Sequence, residues 1–178
     1  MKLERLGIYP GTFDPVTYGH IDVVRRSLSL FDRVVVAVAV DSPKRCLFTA
    51  QERYSMVEKV FRGCPEVTVE VFQGLLVNFV KKKGARSIIR GLRAISDFEY
   101  EFQMATTNRV MYPRAETIFL LPRAEFFYIS SSLIKEIARF GGDVSSFVPP
   151  HVARALTRKF SLSEIRRMNH AQSQKKAF

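Results

Sequence analysis

Two cysteines, Cys46 and Cys64, are all that this 178-residue chain carries, and they make no C-x-x-C pair. No disulfide framework follows from them. No apolar run approaches the roughly 20 residues that span a bilayer, and Met1-Lys2-Leu3-Glu4-Arg5 lacks the apolar stretch of a signal peptide. The expectation is a cytoplasmic protein with no membrane role. Neither G-x-x-x-x-G-K-[ST] nor G-x-G-x-x-G occurs, which removes the usual phosphate loops. The three histidines (His20, His151, His170) and the cysteines show no metal-ligand spacing. Acids are scarce: 17 Asp and Glu stand against 28 Lys and Arg, a formal net charge of +11. That balance favours anionic partners, whether nucleic acid, anionic lipid or phosphorylated metabolites. The segment 161–178 holds +3 of it and the body +8.

Against these absences, 47% of the residues are hydrophobic, enough for one domain with a substantial core. Apolar runs alternate with amphipathic segments. Leu6–Tyr9 reads as a strand and Ile21–Leu30 as a helix. Arg33–Val40 is a β-branched run and so a strand buried on both faces. Thr49-Ala50-Gln51-Glu52 is a capping box opening a helix toward Phe61. Val67–Phe72 is a strand, Leu76–Lys83 a short helix with Gly84 as its C′ residue, and Ser87–Arg90 a strand. A helix capped near Asp97 runs to about Arg109. Thr117–Leu121 is the fifth strand, Ser131 or Ser132 caps a helix ending at Gly141-Gly142, and a last helix follows Pro149-Pro150 to about Phe160. The alternation implies a single doubly wound, Rossmann-like α/β domain with a five-stranded parallel sheet over residues 1–160. A basic, weakly periodic tail follows over 161–178.

Ligands on such sheets bind beyond the carboxyl ends of the strands. The informative residues fall there: His20 after strand one, Lys44 after strand two, Leu75 and Leu76 after strand three, Arg90-Gly91-Leu92-Arg93 after strand four, Ile129–Ser132 after strand five. The run Tyr9-Pro10-Gly11-Thr12-Phe13-Asp14-Pro15-Val16-Thr17-Tyr18-Gly19-His20 lies at a strand-to-helix turn, where unpaired N–H groups suit phosphate. Gly11 would let the backbone approach a ligand closely.

This run resembles the T/H-x-G-H signature of the nucleotidyltransferase superfamily. Together with S-P-K-R (42–45), F-T-x-x-E-R (48–53), I-R-G-L-R (89–93), D-F-E-Y-E (97–101) and I-S-S-S (129–132), it resembles the bacterial phosphopantetheine adenylyltransferases from about Leu6 to Phe160. The resemblance implies transfer of the adenylyl group of ATP to 4′-phosphopantetheine, giving dephospho-coenzyme A and pyrophosphate. It also implies magnesium with the nucleotide, a homohexamer and a cytoplasmic setting. The substrate's own phosphate is the nucleophile, so no enzyme base and no covalent intermediate is required. What remains is to align two polyanions for in-line attack and offset their charge.

On this resemblance, His20 and Lys44 are the catalytic residues. His20 would bond the α-phosphate, and Lys44 would neutralise the attacking phosphate. Thr12 would bridge the acceptor phosphate and the nucleotide. Lys44, Leu76 and Arg90 would join Thr12 on the phosphopantetheine side. Phe13, Gly91, Leu92, Arg93, Glu101 and the segment Phe126, Phe127, Tyr128, Ile129, Ser130, Ser131 and Ser132 would hold ATP beside Thr12 and His20. Magnesium would be held mainly by phosphates and water. The chain departs from the family at Tyr18, at Arg45-Cys46 in place of a more usual Lys-Pro, and at Phe126 in place of a common tryptophan. A second reading in the same fold is an adenylyl- or cytidylyltransferase for another phosphorylated acceptor such as nicotinamide mononucleotide. A nucleic-acid-binding module would account for the charge, but no RNA-binding or helix-turn-helix signature is present. Docking of a partner by the tail is a third reading.

Overall fold

The computed structural model describes residues 4–41, 45–93 and 95–161. Five strands, β1 (Leu6–Gly11), β2 (Arg33–Ala39), β3 (Val67–Phe72), β4 (Ser87–Gly91) and β5 (Glu116–Leu120), pair in the order β3-β2-β1-β4-β5. Every pairing is parallel. Between them run α1 (Tyr18–Ser27), α2 (Ala50–Phe61), α3 (Leu76–Lys82) and α4 (Ile95–Met111); α5 (Ser131–Arg139) and α6 (residues 150–161) follow the sheet. This is the doubly wound α/β architecture that the alternation predicts.

The strands form where β-branched residues crowd together. Along β2, Val34, Val36 and Val38 enter the core on one face, with residues of α1, α2, α5 and α6. Val35 and Ala37 enter a smaller core on the other, with Val80 of α3 and Ile8 and Ile88 of the neighbouring strands. Both faces of the central strands are therefore dry, and successive side chains alternate between the two cores. The chain leaves β1 toward β2 on one side and reaches β4 on the other, so a crevice opens at the carboxyl ends of β1 and β4.

Helix ends supply the corrections. α1 starts at Tyr18 rather than Ile21. Thr17 caps it in a box whose third residue is His20, and a histidine there is not the Glu or Gln that marks the motif in a sequence. The same helix stops at Ser27, short of the expected Leu30. The Thr49–Glu52 box and the Gly84 ending of α3 form as expected. Gly84 takes φ +66 and donates to the Lys81 carbonyl, while Ala85 donates to that of Val80. α4 begins at Ile95, so Asp97 lies within its first turn rather than before it. α5 is capped by Ser130, not by Ser131 or Ser132. Three consecutive serines leave that register ambiguous in a sequence, and here the Ser130 hydroxyl is the one that accepts the Leu133 N–H, at 3.1 Å.

Candidate functional site

At the β1–β4 crevice lies a cavity of about 410 Å³. Its wall comes from the first turn (Tyr9 to Asp14), the start of α1 (Thr17, Gly19, His20), the end of β4 (Arg90, Gly91, Arg93), α4 (Tyr100, Glu101) and the start of α5 (Ile129 to Ser132, and Lys135). Loops far apart in sequence meet here because all five strands point the same way.

His20 is fixed at both ends of its own helical turn. Its N–H donates to Thr17 Oγ1, and the Thr17 N–H donates to His20 Nδ1 at 3.1 Å. Nδ1 is thus an acceptor, and the neutral ring carries its proton on Nε2. Burial, then the charges of Arg93 and Arg90, push the imidazole pKa down to about 4. At neutral pH His20 is an uncharged N–H donor in the wall of the cavity.

Arg90 and Glu101 form a bidentate pair, with Nε to Oε2 at 2.6 Å and Nη2 to Oε1. Arg90 Nη1 also donates to the Pro10 carbonyl at 3.0 Å, tying β4 to the end of β1. Burial works against the Arg90 charge, but the Glu101 carboxylate holds its pKa above the ordinary range. Burial likewise raises that of the Tyr9 hydroxyl. Asp14, 5% exposed, accepts from the N–H groups of Leu47 and Phe48 and from Lys135 Nζ at 2.5 Å. Arg93 donates to the Ile129 carbonyl at 3.1 Å, bracing β4 against the segment before α5. The described lining therefore sets Arg90, Arg93 and Lys135 against Asp14 and Glu101, a surplus of positive charge facing a polar cavity.

The structure brings Thr12, Phe13, His20, Arg90, Gly91, Arg93, Glu101, Ile129, Ser130, Ser131 and Ser132 into one wall. It keeps others out. Phe126, Phe127 and Tyr128 do not line the cavity: Phe126 closes a short 3-10 turn, and the Tyr128 ring packs edge-on against Phe147. Leu92 continues the β4–β5 ladder through its N–H to the Leu120 carbonyl. Leu76 lies in a second cavity of about 270 Å³, beside Phe72, Leu75, Val77, Met104, Asn108 and Met111. Lys44 lies outside the described residues. Two details differ from expectation. The close approach at Gly11 is to the ring of Phe13, which a Cβ would meet at 2.8 Å. The Ser131 hydroxyl donates to the Pro15 carbonyl and the Ser130 hydroxyl accepts the Leu133 N–H, so the Ser131 proton is spent within the protein, while the N–H groups that open α5 face the cavity side of this segment.

Asp14, Lys135 and Arg53 escape a reading of the sequence. Asp14 and Arg53 sit inside the motifs G-T-F-D-P and F-T-x-x-E-R, but motif membership does not say what they hold. Lys135 lies one helical turn beyond Ser131, on the same face, and that spacing is the one signal that reaches it.

Comparison with known proteins places this geometry. The family described as cytidylyltransferase-like matches residues 8–137. A phosphopantetheine adenylyltransferase of Caldanaerobacter subterraneus subsp. tengcongensis is 54% identical over 159 residues, 89% of this chain and 99% of that one. Another, from Thiobacillus denitrificans, is 56% identical over 152 residues, 85% of this chain and 95% of its own. The chain belongs to the phosphopantetheine adenylyltransferase family. A solved structure from Vibrio parahaemolyticus, bearing the name nicotinate-nucleotide adenylyltransferase, shares the fold of this chain at a TM-score of 0.68 over 99% of its own length. It covers 87% of this chain at 18% identity, a likeness of fold alone. Among the described residues no helix is long and apolar enough to cross a membrane, and no cluster of His, Cys, Asp or Glu is arranged to hold a metal ion.

Proposed function

We propose that this chain transfers the adenylyl group of ATP to 4′-phosphopantetheine, releasing pyrophosphate and forming dephospho-coenzyme A. The observation that carries the reading is His20, an uncharged N–H donor locked into a cavity with a surplus of cations. An acceptor phosphate oxygen bonds to the α-phosphorus as the bond from that phosphorus to the β-phosphate bridging oxygen breaks, and the electron pair leaves with pyrophosphate. No proton must be removed from a phosphate dianion, so the site needs donors rather than a base. The carboxylates of the described lining, Asp14 and Glu101, are both paired with cations and unsuited to act as one.

His20 donates through Nε2 to the α-phosphate as charge builds on it. Arg93 and the first N–H groups of α5 hold the β- and γ-phosphates, and Thr12 stands between donor and acceptor. Lys44 neutralises the attacking phosphate. The cavity that Leu76 enters takes the pantetheine arm. Glu101, Met104, Asn108 and Met111 lie three or four residues apart along α4, so one stripe of that helix serves both cavities, Glu101 the first and the others the second. An acceptor with a phosphate at one end and a long, largely apolar arm fits that succession better than a second nucleotide does. Magnesium would accompany ATP and offset phosphate charge, and with Asp14 and Glu101 both paired to cations it would be held mainly by phosphates and water.

Self-association as a hexamer in the cytoplasm completes the proposal. Phe102, Val110 and Leu121, 57%, 78% and 59% exposed, give it apolar surface to cover. The test is pyrophosphate release from magnesium-ATP with 4′-phosphopantetheine, unphosphorylated pantetheine or nicotinamide mononucleotide, for wild type and His20→Ala. Activity with phosphopantetheine alone, collapsing in the variant, is expected. Release with nicotinamide mononucleotide and none with phosphopantetheine would overturn the choice of acceptor.

A further inference from the structure

Arg53 has no part in the reaction as proposed, although it is one of the most deeply buried side chains, at 2% exposure. Its described partners are all carbonyl oxygens, and each belongs to a different piece of the site's frame. Nη1 donates to Thr12 at 2.6 Å and to Ala39, the last residue of β2, at 2.8 Å; Nε donates to Phe48 in the β2–α2 loop at 3.2 Å. One guanidinium thus joins the first turn, a strand end and the loop that follows residue 44.

The bond to Thr12 has a consequence one atom further on. A trans peptide is planar, so its carbonyl and its N–H point in opposite directions. Drawing the Thr12 oxygen toward the buried guanidinium turns the Phe13 N–H away from it. Phe13 sits at φ +51, the left-handed region that a bulky residue rarely enters unless its surroundings hold it there. Its ring is held between Tyr9 and His20, with centroids at 5.5 and 5.2 Å. Thr12 and Phe13 both line the cavity, and the Phe13 N–H donates to no described residue.

We propose that Arg53 is a positioning residue: it clamps the Thr12–Phe13 peptide so that the Phe13 N–H is presented to an anion in the cavity. The inference rests on the phosphate-binding reading of that cavity and adds the group that orients its first turn. Lysine keeps the charge but not the fork, so it cannot hold three carbonyls in fixed directions.

The experiment follows the Phe13 amide in 15N–1H spectra of full-length wild type and Arg53→Lys as inorganic pyrophosphate is added, alongside steady-state kinetics. In wild type the amide proton is expected to move downfield with pyrophosphate. In the variant that response is lost and kcat falls by about 10-fold or more, while the acceptor KM changes little. A purely structural role would lower the melting temperature and leave the amide response of the folded fraction intact. Should the lysine variant fail to fold, the Arg53 guanidinium protons of wild type report directly: slow exchange and a shift with pyrophosphate support the clamp, and indifference to pyrophosphate overturns it. A wild-type Phe13 amide that ignores pyrophosphate also overturns it. Pyrophosphate is released in any nucleotidyl transfer, so a wrong acceptor would leave these spectra unchanged and count against the proposed function alone.

Discussion

Glu101→Gln separates an acid that contacts nucleotide from one that holds Arg90. The carboxylate meets the guanidinium through two bonds, and the side chains are 12% and 28% exposed for Glu101 and Arg90. The amide keeps the shape. Its oxygen still accepts one N–H, but its NH2 then faces the second donor. Hydrogen bonds to charged groups contribute about 1.5–3 kcal/mol, and removing one member of a fully buried pair costs about 3–5 kcal/mol. The partial exposure of Arg90 brings the expected loss down to about 2 kcal/mol. In a domain of this length each kcal/mol moves the melting temperature by about 2–4 °C, so calorimetry should show a fall of about 4–8 °C. A second effect has the opposite sense. The unpaired Arg90 charge strengthens binding of inorganic pyrophosphate, more at low salt than at high, which titration calorimetry reads. A melting temperature within about 1 °C of wild type, with unchanged pyrophosphate affinity and a raised KM for ATP, would refute the pairing argument. It would make Glu101 a nucleotide contact instead.

His20→Ala is expected to lower kcat by about 10²–10³ with little change in either KM, measured by pyrophosphate release; a loss below tenfold contradicts the donor role. The His20 ring, with its pKa near 4, should show no NMR titration between about pH 5.5 and 8. Because the unfolded chain takes up that proton first, His20 leaves stability unaffected above about pH 6.5 and lowers it as pH falls from there toward 4. A ring midpoint near the ordinary 6.5 would contradict both statements. Asp14→Asn weakens the bond to Lys135 and leaves one loop N–H without its acceptor, and urea unfolding should register a loss of about 1–3 kcal/mol. Gly11→Ala drives a methyl group into the Phe13 ring, for about 1–3 kcal/mol by the same measurement; full stability would mean that the ring moves aside freely.

β2 and β3 are legible because they are short runs rich in β-branched residues, and such runs on a doubly wound sheet have one use. The Thr49–Glu52 cap was legible because it is made of residues three positions apart. What escaped has a common cause. Arg53 reaches Thr12 across 41 positions, and Asp14 reaches Lys135 across 121; no local pattern encodes such meetings. Leu76 follows β3 at the carboxyl end of the sheet, but periodicity does not divide a rim into two cavities. The α1 start is not legible because the sequence signal for a capping box is an acid or amide, and His20 does the same work with a ring nitrogen.

That substitution limits what residue 20 can be. Lysine and arginine are the usual partners of phosphate, and both have donors in plenty but no acceptor. Either would leave the Thr17 N–H without a partner at the mouth of α1. Imidazole accepts at one edge and donates at the other, with a rigid ring keeping the two jobs apart. The helix and the reaction therefore make their demands on opposite sides of one side chain, and a change that satisfied only the phosphate would unpick the turn that aims it.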